Sequence, residues 1–443
     1  MIKYIKLKNY KSLTNLEVDF MRTRNRPKDL ILIYGENGAG KSNFATAFYT
    51  LYETTRTMSS SEMLKDIMKQ FNNSDDNHIS KHINDYFKYL KESYKGIEEI
   101  IANYKTIDSK ENMVLEFGFK INNKDAVYKI EMNDNEIVNE SLDYAINTNK
   151  TFCFKLSKGN KITINDNLFT DKNFFSEFYL ILEKYWGKHS FLSILSFEIE
   201  DKKKDYVKER TSESLFNFLT YIQEICTIAK IGNKKRFETT GLKYLTNLEE
   251  GEITIKQEKD LNQAESLLNE FFTNLYSDIK GVYYQREYEE NKIKYKLYFK
   301  KLIYDNLIDI NFELESTGTQ NILKIFPCLL VACAGQTVII DELDFGIHDI
   351  LVEQILNSIK NCIKGQLIIT THNTLLLETD IPKNSIYVFN IDNLGNKLLL
   401  PITDFKGRIQ NNLNVRNQYL KGMYGGIPFA SNIDFNELID SLD

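Results

Sequence analysis

Residues 35–42 read Gly-Glu-Asn-Gly-Ala-Gly-Lys-Ser, directly after the apolar run Leu30-Ile31-Leu32-Ile33-Tyr34 and directly before small and aromatic residues at helical spacing from Asn43 to about Thr57. Nothing else in the chain restricts its fold as tightly. A strand, a glycine-rich turn and a helix in that order place backbone N–H groups around an anion, with the partial positive charge of the helix N-terminus behind them. Gly35, Asn37, Gly38, Ala39, Gly40, Lys41, Ser42 and Asn43 are therefore the candidate phosphate-binding residues. Lys41 is placed to reach the outer phosphates of a nucleotide, and Ser42 to offer a hydroxyl to Mg²⁺. The unit predicts an α/β fold with a parallel sheet.

The last third of the chain supplies acidic partners. Val338-Ile339-Ile340-Asp341-Glu342 is an apolar strand ending in two carboxylates. Asp341 suits the Mg²⁺ water shell, and Glu342 suits a base that orients and deprotonates an attacking water. Upstream, Leu314-Glu315-Ser316-Thr317-Gly318-Thr319-Gln320 is a polar turn opening an apolar helix, which alone reads as a Ser/Thr cap. After the acidic strand come the turn Leu343-Asp344-Phe345-Gly346-Ile347-His348 and a strand ending in Thr370-Thr371-His372-Asn373. A lone histidine is more often packed or solvated than catalytic, and only the order of the surrounding motifs makes His372 a candidate.

Composition bounds the rest. A chain of 443 residues with 42% hydrophobic and 27% charged residues has ordinary globular make-up, and its net charge of -6 gives no overall positive field for nucleic acid. Nucleic-acid contact would need local patches, and two basic clusters qualify: Lys202-Lys203-Lys204 with Lys208 and Arg210, and Lys230 with Lys234-Lys235-Arg236. Such runs are usually solvated faces. The N-terminus alternates apolar and basic residues rather than forming a signal-peptide core, no apolar run reaches the roughly 18 residues of a membrane span, and Cys153, Cys226, Cys328, Cys333 and Cys362 form no CxxC pair. A cytoplasmic protein with reduced thiols is expected. The predicted organisation is an N-terminal ATPase part over 1–57, a helical insertion over 58–110, antiparallel strands over 111–165, a helical lobe over 166–300, the C-terminal ATPase part over 301–400 and a tail over 401–443.

Phosphate loop, Ser-Thr-Gly turn, Asp-Glu strand, acidic turn and strand-end histidine follow one another as in an ABC ATPase nucleotide-binding domain. More narrowly, Asn9-Tyr10-Lys11-Ser12, the Gly-Glu-Asn-Gly-Ala-Gly-Lys-Ser loop, Glu315-Ser316-Thr317-Gly318-Thr319, Asp341-Glu342-Leu343-Asp344 with His348, and the closing Arg416-Asn417-Gln418-Tyr419-Leu420-Lys421-Gly422-Met423-Tyr424-Gly425-Gly426-Ile427-Pro428 resemble the AAA family ATPases of bacterial abortive-infection and anti-phage loci. This group includes the AbiL and PARIS ATPase subunits and is related to the OLD and chromosome-maintenance ATPases. The resemblance implies an ABC-type P-loop core, a mixed sheet with an antiparallel meander and helical insertions. It implies ATP and Mg²⁺ as cofactors and a head-to-tail homodimer. In that dimer Ser316 and Gly318 touch the γ-phosphate held by the other protomer, Lys11 approaches the phosphates and His372 senses the γ-phosphate. Residues 58 to 110 and 166 to 300 match no named family.

OLD-type enzymes continue past the histidine into a large nuclease domain, for which the roughly 70 residues after His372 leave no room. Two functions therefore stand side by side. One is a sensor or switch ATPase of an anti-phage system that controls a separately encoded effector, and the other a DNA-repair or chromosome-associated ATPase that grips DNA through its dimer. A nucleotide holder without turnover is disfavoured by Glu342. The closing segment either docks the partner or packs on the body of the protein.

Overall fold

The computed structural model describes residues 1–72, 95–146, 150–160, 162–231, 234–239, 247–405, 414–428 and 433–440. The chain opens with antiparallel strands β1 (Ile2–Tyr10) and β2 (Leu13–Asp19) and a small hairpin, β3 (Met21–Thr23) and β4 (Arg26–Pro27). Strand β5 (Leu30–Tyr34) leads through the glycine loop into helix α1 (Lys41–Thr54), followed by α2 (Thr57–Asn72) and α3 (Ile97–Tyr104). Residues 73–94 of the expected helical insertion lie outside the described residues. Strands β6 (Met113–Ile121), β7 (Lys124–Met132), β8 (Ile137–Ala145), β9 (Lys150–Ser157) and β10 (Thr163–Ile164) form a meander that extends β1 and β2 into a sheet ordered β10-β9-β8-β7-β6-β1-β2.

Helices α4 (Lys172–Tyr185), α5 (Phe191–Lys202), α6 (Lys204–Arg210) and α7 (Glu213–Gln223) follow. The expectation that 166–300 is mostly helical fails beyond them. Strands β11 (Cys226–Ile231), β12 (Lys234–Thr239), β13 (Glu250–Thr254), β14 (Ile279–Tyr288) and β15 (Lys292–Ile303) occupy much of that stretch, with one helix, α8 (Glu258–Leu275), among them. The absence of proline allowed a helical reading, but the period of the apolar residues decides. Ile293, Tyr295, Leu297 and Phe299 are buried at every second position, alternating with Lys294, Lys296 and Tyr298, which only a strand can do. Strand β16 (Asn306–Asn311) completes this accessory sheet by pairing with β15.

The remaining elements are α9 (Thr317–Ala334), β17 (Thr337–Ile340), α10 (Asp349–Ile359), β18 (Gln366–Thr370), β19 (Ile386–Ile391), β20 (Lys397–Pro401), α11 (Val415–Leu420) and α12 (Phe435–Asp440). With β5 they build a seven-stranded central sheet ordered β12-β11-β17-β18-β5-β19-β20. Strands β11, β17, β18, β5 and β19 run parallel, and antiparallel β12 and β20 close the two edges.

Parallel strands covered on both faces read as unbroken apolar runs, which is why β5, β17 and β18 show no alternation in sequence. Alternation reappears in what each residue touches. Ile31, Ile33, Ile339 and Ile368 face a core shared with α1 and the antiparallel sheet, whereas Leu30, Leu32, Tyr34, Val338, Ile340, Leu367 and Ile369 face a core shared with α9 and α10. Each such side chain contributes about 1.5–3 kcal/mol by leaving water. Gln366, fully buried, ties the layers together: its Oε1 accepts from the Ile2 N–H at 2.6 Å and its Nε2 donates to the carbonyls of Ile2 and Lys28 at 3.0 Å. The architecture is thus α/β, a P-loop core with an antiparallel sheet on one face. Helix α9 is long and apolar enough to cross a membrane by length and composition, yet 61% of it is buried inside this core.

The closing segment belongs to the body of the protein. Tyr419 and Tyr424 are buried, the Tyr419 ring lies 5.4 Å from that of Tyr34, and its hydroxyl donates to the Gly426 carbonyl at 3.0 Å. Gly426 adopts φ 68°, and a Cβ there would stand 2.4 Å from Val388 Cγ1 and 3.3 Å from the Cα of Gly35. Only glycine fits this close approach to the start of the phosphate loop. Of the two readings of the segment, packing is the one the structure takes.

Candidate active site

The phosphate loop is shaped by backbone requirements that the sequence meets. Gly40 caps α1 at φ 114°, a left-handed conformation, and a Cβ there would meet Leu13 Cδ2 at 2.9 Å. Helix α1 begins at Lys41, so its free N–H groups open into the loop. The Lys41 ammonium is buried and donates to the Gly35 carbonyl at 2.6 Å and the Glu36 carbonyl at 3.0 Å. Burial lowers its pKa below the ordinary lysine value, while Asp341, Glu342, Asp344 and Glu36 oppose that shift. Asn43 donates from Nδ2 to Ser12 Oγ at 2.6 Å, tying the helix start to the β1–β2 turn.

Facing the loop is the end of β17. Strand β18 lies between β5 and β17, so the phosphate loop and the Asp-Glu pair stand two strand spacings apart, about 10 Å. Asp341 is 2% exposed. Its Oδ1 accepts from Thr370 Oγ1 at 2.6 Å, whereas its buried Oδ2 has no hydrogen-bond partner among the described residues. Thr370 Oγ1 also accepts from the Glu342 N–H at 2.8 Å, so one hydroxyl sets both carboxylate residues. Glu342 has φ 52°, a strained conformation for a non-glycine residue that fixes where its side chain leaves the strand end.

The end of β18 supplies His372, whose backbone N–H donates to Asp344 Oδ2 at 3.0 Å; Asp344 Oδ1 is buried without a hydrogen-bond partner among the described residues. Burial and then Lys41 push the His372 pKa below the ordinary histidine value against the pull of Asp344, Glu342 and Asp341. The imidazole is neutral at neutral pH. Lys11, at the β1–β2 turn with φ 49°, lies 5.1 Å from the Tyr104 ring, and Asp341 is among the carboxylates that act on it.

Ser316 and Gly318 are not brought to this loop. Ser316 is exposed and caps α9, its Oγ accepting from the Thr319 N–H at 3.2 Å. A Cβ on Gly318 would lie 2.5 Å from the Gly346 carbonyl, and Asn321 donates to the Phe345 carbonyl at 2.8 Å. Among the described residues no hydrogen bond or ion pair joins 316–320 to 35–42.

Sequence reading missed Thr370, the hydroxyl beneath both carboxylates; its signal was a threonine at the end of the histidine strand. It also missed Lys397, described below. Of the basic clusters, the first is largely engaged within the protein. Lys202 pairs with Glu177 and Glu198 at 3.1 Å, Lys204 and Lys208 stand over the Phe216 ring, and Arg210 over that of Tyr206. The second falls on the β11–β12 hairpin rather than a helix, and its side chains lie outside the described residues.

The family model for "AAA domain, putative AbiEii toxin, Type IV TA system" matches residues 30–378. Comparison with curated proteins yields no match. Among solved structures, similarity extends to the SMC head bound to the C-winged helix domain of ScpA (14% identity, 90% of this chain and 97% of that chain, TM-score 0.43). It extends also to the SMC head domain from Thermotoga maritima (13%, 90% and 98%, TM-score 0.37) and the Smc head domain with a coiled coil and joint from Pyrococcus yayanosii (10%, 95% and 99%, TM-score 0.44).

Proposed function

We infer that this chain, which belongs to the AAA-domain family of the AbiEii type, hydrolyses ATP as the sensor or switch subunit of a bacterial anti-phage system and controls a separately encoded effector in the cytoplasm. The observation that carries the chemical part is the facing of Lys41 and the Asp341-Glu342 pair across β18, with His372 between them. A buried carboxylate oxygen without a partner, Asp341 Oδ2, together with the Ser42 hydroxyl fits a hard cation. Mg²⁺ bound there supplies charge neutralisation on the β- and γ-phosphates.

The residues divide the remaining work. Backbone N–H groups of 38–43 and the Lys41 ammonium hold the phosphates, Glu342 takes a proton from the attacking water, and neutral His372 hydrogen-bonds the γ-phosphate. Phosphate release from ATP and Mg²⁺ by the purified chain is the direct test, and no turnover above a Lys41→Ala control would remove the hydrolase reading.

Thr370→Val is expected to lower kcat about tenfold and raise the Mg²⁺ concentration needed for half-maximal rate, because it frees Asp341 and Glu342 from their shared hydroxyl. A Mg²⁺ titration of the steady-state rate checks this.

Exposed Ser316, held away from its own phosphate loop, supports a head-to-tail pair in which each Ser-Thr-Gly turn completes the partner's site. Light scattering of Glu342→Gln with ATP should then show the dimer mass, and Ser316→Arg in the same background the monomer. Equal mass with and without ATP removes the shared-site model. The effector chemistry is assigned to another protein, as the resemblance to the ATPase subunits of anti-phage loci implies. Co-purification with the product of a neighbouring gene tests that assignment.

A further inference from the structure

A lysine on an antiparallel edge strand ordinarily extends into solvent. Lys397 on β20 instead turns across the phosphate loop. Its Nζ lies 2.5 Å from the Gly38 carbonyl oxygen and 2.7 Å from Ser12 Oγ, the same hydroxyl that accepts from Asn43. Its stem passes Gly40, where a Cβ would stand 3.3 Å from Lys397 Cδ. One ammonium thus joins three segments distant in sequence: the turn carrying Lys11, the phosphate loop and the β19–β20 hairpin.

We propose that Lys397 is a positioning residue of the phosphate loop, holding the Gly38 carbonyl so that the next amide faces the nucleotide side, and holding Ser12 so that the Lys11 turn stays beside the loop. The peptide unit is planar and trans, so the Gly38 carbonyl and the Ala39 N–H point in opposite directions. With the carbonyl on Lys397, the Ala39 N–H is directed into the loop, where it reaches the Glu36 carbonyl at 3.2 Å. A phosphate oxygen is a stronger acceptor than that carbonyl and takes the amide over. Partial burial lowers the Lys397 pKa below the ordinary lysine value, and Glu36 opposes that shift. The proposal rests on the ATPase reading and adds a residue from outside the motifs that define it.

The test compares wild type, Lys397→Met, Lys397→Arg and Ser12→Ala by titration with a fluorescent ATP analogue and by steady-state hydrolysis, with thermal melting alongside. Lys397→Met is expected to raise Kd and KM about tenfold while kcat changes by less than about threefold, and Lys397→Arg to recover most of the affinity. A Lys397→Met enzyme with wild-type Kd and KM overturns the proposal and leaves the ATPase reading standing. So does one whose kcat and melting temperature fall while Kd holds, because that marks a structural lesion. If Lys397→Met does not fold, Ser12→Ala decides: unchanged KM there overturns the proposal. Wild-type protein that neither binds nor hydrolyses ATP overturns both readings together.

Discussion

In the Glu342→Gln variant ATP binding is expected to persist while kcat falls about a thousandfold, the size of effect a positioned general base supplies. Glutamine keeps the volume and the strained backbone at φ 52°, and the backbone N–H of residue 342 still donates to Thr370 Oγ1, so the site stays assembled. What it cannot do is take a proton from water. Single-turnover hydrolysis measured beside nucleotide affinity separates these effects. A rate within about threefold of wild type would move the base to another residue, and His372 would be the next candidate. Neutral at neutral pH because burial and Lys41 disfavour its charge, His372 would then give a rate that falls as the pH is lowered through its depressed pKa.

Truncation after residue 413 is expected to lower the melting temperature by on the order of 10 °C and to remove nucleotide binding with it. The deletion takes away Val415, Tyr419 and Tyr424, which are 6%, 7% and 3% exposed. It leaves the Tyr34 ring without its neighbour and the start of the phosphate loop without the Gly426 backbone against it. Arg416 also leaves Thr374, to which its Nε donates at 3.1 Å just beyond the histidine strand. Calorimetry and ATP-analogue titration of the truncated chain check both parts. Stable, ATP-binding protein after truncation would return the segment to the role of a partner dock.

Much of the central machinery was legible because the requirement there is local. A glycine loop between an apolar strand and a helix has one structural meaning, and Val338-Ile339-Ile340 ending in Asp341-Glu342 nearly so. The residues that set those motifs were not legible, because they arrive from far along the chain. Thr370 meets Asp341 only because β18 pairs with β17, and Lys397 meets Gly38 only because β19 pairs with β5. No periodicity announces a strand order. The accessory sheet was misread for a different reason: without proline to break it, a long lysine-rich stretch passes for helix unless the every-second-residue burial of Ile293 to Phe299 is weighed above propensity.

The placement of β5 also governs when the protein can be made. Among the described residues its strand partners are β18 and β19, so residues 30–34 have no sheet to join until residues up to Thr370 have left the ribosome, and lack their second neighbour until Ile391 follows. Before β18 emerges the apolar run has neither neighbour, and the loop after it has no frame on which to curl. A chain terminated before β18 therefore lacks the frame of the glycine loop, whereas one that has passed β19 holds both strand neighbours of β5.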